Sequence, residues 1–327
     1  MLKNLKNLVR GKFAKGIFRI MFRLVSFIPK KRNLFIFESF HGRQFSDNPR
    51  AIYEYILNNI EGARLIWSVD RRHTKVFKDL NIPYIVRFTP KWFWLMPRAK
   101  YWINNVRLPL WIPKHRNTIY VQTWHGTPLK KLGNDIPEVK MPGTNTESYK
   151  NNFRKEADKG DYLVSPNDYS TKIFKRAFGY NGVIMETGYP RNDFLYNFSQ
   201  VEVINIKKSL NIPKGKKVIL YAPTWRDNQY YSVGRYKFDI QLNLDEMQKA
   251  LGDQYVILLR LHYLIADNID LSGFKGFAYN VSTYTDIREL YVISDLLITD
   301  YSSVFFDYAN LKRPIIFYVY DLEVYRD

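Results

Sequence analysis

From Asn33 onward, short apolar runs alternate with amphipathic stretches, and this alternation constrains the fold more than any other feature of the sequence. Leu34–Phe37, Leu65–Val69, Ile119–Gln122, Tyr162–Val164 and Val183–Met185 read as strands, with helices over Pro49–Asn59 and Asp168–Phe178. A second series follows: Val218–Tyr221, Tyr255–Leu259, Leu296–Thr299 and Ile315–Tyr318 as strands, and Leu244–Leu251, Asp286–Val292 and Ser303–Asn310 as helices. Such alternation predicts parallel sheets covered by helices on both faces. The stretch from Tyr196 to Lys216, with its polar run Asn197–Gln200 and its Pro213-Lys214-Gly215 turn, interrupts the series. The expectation is an α/β chain of two Rossmann-like, doubly wound domains facing a cleft, residues 33–198 and 199–327. A 46% hydrophobic composition is enough to fill both cores.

The first 32 residues differ from the rest. They hold ten Lys or Arg and no acid, the first acid being Glu38. Leu2, Leu5, Val9, Phe13, Ile17, Ile20, Leu24 and Phe27 recur every three to four residues, which is one face of a helix. Arg19 and Arg23 interrupt the stretch, and no run of 18 apolar residues exists to span a bilayer. A basic amphipathic helix of this kind is suited to lie in the interface of an anionic membrane, each basic residue contributing roughly 1 kcal/mol. The plain alternative is a helix packed on the domain with a solvated basic face.

The net charge of +19 calls for an anionic partner. Nucleic acid is disfavoured, because there is no zinc spacing, RNP-type aromatic box or helix-turn-helix signal. The absence of cysteine excludes disulfides, thiolate metal sites and a cysteine nucleophile. No G-x-G-x-x-G fingerprint or P-loop is present, which argues against a dinucleotide cofactor and an ordinary ATPase. No acid or histidine cluster has metal-ligand spacing, so neither a metal nor a cofactor is expected.

In open α/β sheets, ligands bind beyond the carboxyl ends of the strands. After Ile119–Gln122 stands Thr123-Trp124-His125-Gly126-Thr127-Pro128. Gly126 permits close backbone approach and Pro128 suits the first turn of a helix, so His125 is expected on a strand-to-helix turn able to meet a phosphate. After Tyr255–Leu259 stands Arg260-Leu261-His262. Residues 260 and 262 point to one side of a strand and combine a fixed cation with a titratable ring. After Leu296–Thr299, Ser302 and Ser303 precede an apolar helix, where they could cap it or hold a phosphate. Arg191, in Gly188-Tyr189-Pro190-Arg191-Asn192-Asp193, is offered to the cleft, and Ala222-Pro223-Thr224-Trp225-Arg226 follows the first strand of the second domain. His41, His73 and His115 read as surface residues.

Five strings occur in one order: QTWHGTPLKKLG (122–133), YLVSPNDYST (162–171), ETGYPRND (186–193), YAPTWRD (221–227) and SDLLITDYSSVFFDYANLKRP (294–314). Together with FESFHGRQFSDNPRAIYEYI (37–56), they resemble the CDP-glycerol glycerophosphotransferase family of teichoic acid synthesis over roughly residues 33 to 327. The resemblance implies a GT-B-like fold, a CDP-glycerol donor, a lipid-linked acceptor and work at the inner face of the bacterial membrane. It implies donor contacts at Trp124, His125, Gly126, Thr127 and Pro128, at Arg191, at Pro223 and Thr224, and at Arg260, Leu261 and His262. Val281, Ser282 and Asp286 match a further donor contact region, and the helix-terminus argument adds Ser302 and Ser303.

In such a transfer an acceptor hydroxyl loses a proton as it attacks phosphorus, and a positioned base contributes about 10²–10⁴-fold. His125 is the candidate base. Arg260, Arg191, the serines and a protonated His262 are candidates to stabilise charge on departing CMP. The two histidines could exchange these roles. A CDP-ribitol donor is the near alternative. The family usually continues past Asp327, so a shortened carboxyl end and an inactive nucleotide-binding homologue are the further alternative.

Overall fold

The computed structural model describes residues 12–139, 144–224, 230–232, 235–236, 240–261 and 270–323. The chain divides into two compact units, Met1–Arg191 and Asn192–Asp327. Residues 192–198, which the sequence reading leaves with the amino-terminal domain, belong to the second unit, where Leu195 is buried in the core.

The first unit contains one sheet of seven parallel strands: β1 (Lys31–Glu38), β2 (Arg64–Val69), β3 (Tyr84–Val86), β4 (Ala99–Asn104), β5 (Ile119–Gln122), β6 (Tyr162–Ser165) and β7 (Val183–Glu186). Their order is β3-β2-β1-β4-β5-β6-β7, so the direction of winding reverses between β1 and β4. Alternate residues of each strand face opposite layers. Leu34, Ile36 and Ile66 pack with Phe22, Trp92 and Trp102 on one side, while Phe37, Leu65 and Trp67 pack with Tyr53 and Phe77 on the other. β3 and the central strand β4 are additions to the expected set.

The second unit repeats the plan. It contains β8 (Lys217–Tyr221), a short hairpin of β9 (Tyr230–Ser232) and β10 (Arg235–Tyr236), then β11 (Tyr255–Leu259), β12 (Ala278–Asn280), β13 (Leu296–Thr299) and β14 (Ile315–Phe317). The main sheet is parallel, in the order β12-β11-β8-β13-β14, and reverses between β8 and β13. Two doubly wound sheets are thus present, as a GT-B-like chain requires. The interruption expected over Tyr196–Lys216 contains a helix at Gln200–Ser209, started by a capping box in which Ser199 and Glu202 bond reciprocally.

Helix α1 (Lys12–Ser26) has two apolar stripes. Phe22 is fully buried and Phe18 packs beside it, their rings meeting Trp92, Trp102, Phe93 and Trp111. Burying Phe22 stabilises the contact by about 1.5–3 kcal/mol. The stripe singled out in the sequence lies on the other side. Ile17, Ile20, Leu24 and Phe27 are exposed, the last two at 64% and 77%, and Met21 is exposed with them. Leu2, Leu5, Val9 and the side chain of Phe13 fall outside the described residues. Among the described residues, no helix is long and apolar enough to cross a membrane.

Candidate active site

In the first unit, the carboxyl ends of β1, β4 and β5 meet around His125. Beyond β1 the chain turns sharply, with left-handed φ angles of 47° at Phe40, 61° at His41 and 78° at Gly42. Only glycine fits at 42: a Cβ there would lie 2.6 Å from the Ser68 carbonyl oxygen and 2.7 Å from the Asp70 nitrogen. The turn directs Phe40 back toward β4, where its amide donates to Asn105 Oδ1 at 2.9 Å, and its ring stands edge-on to His125 at 5.7 Å.

The Thr123-Trp124-His125 turn is held from beneath. Thr123 N donates to the Asn104 carbonyl, Trp124 N to Gln122 Oε1, and Asn48 Nδ2 to the carbonyls of Thr123 and Trp124. Trp124 takes a left-handed φ of 53°, and its ring lies 4.4 Å from that of His125. Tyr189 Oη donates to the Gly126 carbonyl and Tyr169 Oη to that of Pro128, burying Gly126, Thr127 and Pro128. No helix follows Pro128 directly: the chain runs irregularly to a 3-10 turn at Gly133–Asp135, and the next α-helix among the described residues is Thr146–Ala157. The expected helix terminus at His125 is therefore absent, because Pro128 is fixed by tertiary bonds rather than by a first helical turn.

His125 Nδ1 lies 2.7 Å from the Asn105 carbonyl oxygen. A carbonyl only accepts, so Nδ1 carries the proton and Nε2 presents its lone pair. Burial pushes the His125 pKa below the ordinary histidine value; the Asn105 carbonyl and Asp47 oppose this, while Arg191 and Arg107 reinforce it. The ring is thus neutral near pH 7, as a base requires. His41 stands exposed beside this site. Its pKa is lowered to about 4 by burial of part of the ring and by Arg87, Arg43, His125 and Arg107.

Arg191 is not offered outward as expected. It is buried, paired with Asp47 Oδ1 at 2.6 Å, and its guanidinium lies 4.5 Å over the Tyr189 ring. Asp47, Asn48 and Asn105 were missed in the sequence. The first two open helix α2 (Asp47–Asn59), two residues before the expected start, and Asn105 directly follows β4, a strand that went unread.

In the second unit, the reversal between β8 and β13 brings Pro223 and Thr224 beside Asp300. Asp300 Oδ1 accepts the amides of Thr224 and Tyr301 at 2.7 and 2.6 Å, and Thr299 Oγ1 donates to the Ala222 carbonyl. Arg260 Nη1 donates to the carbonyls of Val281, Ser282 and Tyr284 at 2.7, 2.8 and 2.6 Å. Ser282 Oγ accepts the Leu261 amide at 3.0 Å. The Arg260–Leu261 and Val281–Tyr284 segments are thereby clamped together. Leu261 and Val281 point into the core, and buried Asp286 pairs with Arg288 while capping the helix Ile287–Ile293. Ser303 occupies the start of the five-residue helix Val304–Tyr308 without a side-chain cap bond, and Ser302 precedes it, both half-buried. His262 lies outside the described residues. Among the described residues no group of three His, Asp or Glu is placed to hold a metal ion.

The model of the family described as CDP-Glycerol:Poly(glycerophosphate) glycerophosphotransferase matches residues 20–327. A teichoic acid poly(glycerol phosphate) polymerase of Bacillus subtilis (strain 168) is 58% identical over 320 residues, covering 98% of this chain and 43% of that protein. This chain therefore spans less than half the length of that polymerase. A teichoic acid glycerol-phosphate transferase of Staphylococcus aureus (strain NCTC 8325 / PS 47) is 52% identical over 326 residues, covering 99% of this chain and 82% of the relative. Among solved structures, a variant of the wall teichoic acid polymerase TagF soaked with CDPG matches with a TM-score of 0.88 and 44% identity, over 99% of this chain and 79% of that one. The matched span, the two doubly wound sheets and the ordered strand-end motifs agree: this chain belongs to the CDP-glycerol:poly(glycerophosphate) glycerophosphotransferase family.

Proposed function

We propose that the chain transfers glycerol phosphate from CDP-glycerol to the hydroxyl end of a lipid-linked teichoic acid acceptor and releases CMP. The observation that carries this reading is the commitment of His125 Nδ1 to the Asn105 carbonyl, which leaves Nε2 to accept a proton. Nε2 takes the proton of the acceptor hydroxyl as its oxygen attacks the phosphorus of the glycerol phosphate group. The bond from that phosphorus to the bridging oxygen breaks, and CMP leaves with the electron pair. His262 and Arg260 serve the departing charge. The donor contacts are Trp124–Pro128, Arg191, Pro223–Thr224, Arg260–His262, Val281, Ser282, Asp286, Ser302 and Ser303. For several of these the contribution is backbone, since Leu261, Val281 and Gly126 have buried side chains or none.

The proposed place of the reaction is the cytoplasmic face of the membrane, and the exposed side of α1 supports a membrane surface. Ile17, Ile20, Met21 and Leu24 are exposed on α1, which also carries Lys15, Arg19 and Arg23, and Phe27 is exposed just after its end. Apolar residues backed by cations suit an anionic bilayer surface.

The test is CMP release from CDP-glycerol with a synthetic lipid-linked acceptor. His125→Ala is expected to lose about 10²–10⁴-fold in turnover while remaining folded; turnover close to that of the unmodified chain would remove His125 as the base. Release from CDP-ribitol but not CDP-glycerol would replace the donor. Ile20→Asp with Leu24→Asp is expected to abolish sedimentation with anionic vesicles and leave the thermal midpoint unchanged, and undiminished sedimentation refutes the membrane role of α1.

A further inference from the structure

The string 37–56 was carried by resemblance alone, and the base mechanism gives it no task. Its residues nevertheless converge on His125. Asp47 adopts a left-handed φ of 65° and is buried. Its Oδ2 accepts from Asn105 Nδ2 at 2.9 Å, and its Oδ1 accepts from Arg191 Nη1 at 2.6 Å and from the Asn48 amide at 2.5 Å. Asn105 is wholly buried, and its side chain is tied on both ends: Oδ1 accepts the Phe40 amide, while Nδ2 donates to Ser39 Oγ and to Asp47. The carbonyl of this same residue receives the proton of His125 Nδ1. Asn48 completes the frame, accepting the Arg191 amide and donating to the carbonyls that lead into His125.

We infer that Asp47 and Asn105 are positioning residues for His125: through the Asn105 carbonyl they hold the imidazole in one tautomer and one orientation, with Arg191 balancing the Asp47 charge. The warrant is geometric. A backbone carbonyl can select a tautomer only if its own peptide cannot rotate away. The Asn105 peptide is pinned through its side chain to two backbone segments, one of which ends in a buried ion pair. A histidine that can take either tautomer presents a proton-bearing Nε2 part of the time, and that population cannot accept a proton. The charged and titratable groups facing His125 are Asp47 on α2, Arg191 after β7, Arg107 after β4, and His41 in the turn after β1. Asp47 raises the His125 pKa, and Arg191 and Arg107 lower it.

This inference rests on the reading of His125 as base, and two variants test it apart from that reading. Asp47→Asn retains a residue that tolerates left-handed φ and can still accept from Asn105. It is expected to lower kcat about 10- to 100-fold, part of what a positioned base supplies, with little change in KM for CDP-glycerol. Removal of a negative charge lowers the His125 pKa, so the acid limb of the rate profile moves to lower pH. Asn105→Ala leaves every charge in place and is expected to lower kcat similarly with the limb unmoved. Spectra of chains labelled with ¹⁵N in histidine are expected to show one Nδ1-protonated tautomer for His125 in the unmodified chain and a mixture in both variants. Retention of kcat, pH limb and tautomer in folded Asn105→Ala overturns the inference, and this variant decides if Asp47→Asn does not fold. His125→Ala in the same assay separates the two readings. If it keeps its rate the base assignment falls, whereas the tautomer spectra still report whether Asp47 and Asn105 hold the ring.

Discussion

In the first unit, Asp47, Asn48, Asn105 and Arg191 bond to one another and to the turn bearing His125, joining segments separated by up to 144 residues. In the second unit, Arg260 and Ser282 bond to the backbone of adjoining loops, about 20 residues apart in sequence. One region fixes the state of a side chain, whereas the other fixes the path of the chain. The same contrast appears in the backbone. The first site contains left-handed residues at 40, 41, 42, 47 and 124, and no described non-glycine residue from 217 to 311 has a positive φ. Strain of this kind persists only where the surroundings over-determine it. Substitutions in the first region should therefore act on turnover and its pH dependence, and those in the second on stability and donor affinity together.

Arg260 offers the largest test of that division. Arg260→Ala leaves three carbonyls without their shared donor, an expected loss of about 1.5–3 kcal/mol, the range for a bond to a charged group. Chemical denaturation followed by fluorescence measures it. Only Nη1 is engaged with these carbonyls, so the three protons of a lysine ammonium can replace it in Arg260→Lys. Stability is expected to recover by more than half. If turnover recovers in parallel, Arg260 acts by shaping the Val281–Tyr284 loop. Recovery of stability without turnover would mean that the guanidinium serves the departing charge in addition to holding this loop.

The parts legible in the sequence were those in which neighbours suffice. β5, β11 and β13 were read to the residue, because a buried parallel strand is a continuous apolar run. β4 was missed, since Ala99-Lys100-Tyr101-Trp102-Ile103-Asn104 mixes a charge with aromatics, and Asn105 was lost with it. The importance of Asp47 could not be read locally, because its bonds run to positions 105 and 191. Periodicity placed α1 but could not say which of two apolar stripes turns inward. That depended on Trp92, Trp102 and Trp111, whose rings accept Phe18 and Phe22 rather than Ile17 and Leu24. Pro128 misled for a related reason: a residue suited to start a helix was instead held by Tyr169.

The smallest expected effect tests whether charge, beyond bond geometry, distinguishes the first region. The Arg107 guanidinium lies 4.1 Å over the Phe153 ring and has no hydrogen-bond or ion-pair partner among the described residues. It reaches His125 only through space, as one of the cations that lower its pKa behind the larger effect of burial. Arg107→Gln keeps the side-chain length and loses about 0.5–1 kcal/mol of cation–π contact. Removing the cation raises the His125 pKa. A base works only when deprotonated, so the acid limb of kcat/KM should move to higher pH, opposite to Asp47→Asn, while the rate on the alkaline side of the limb stays near that of the unmodified chain. Opposite displacements by two residues that share no bond would show that the field around the imidazole is set by both. If Arg107→Gln leaves the limb in place while Asp47→Asn lowers the rate, solvent screens the charges and the first region acts through hydrogen-bond geometry alone.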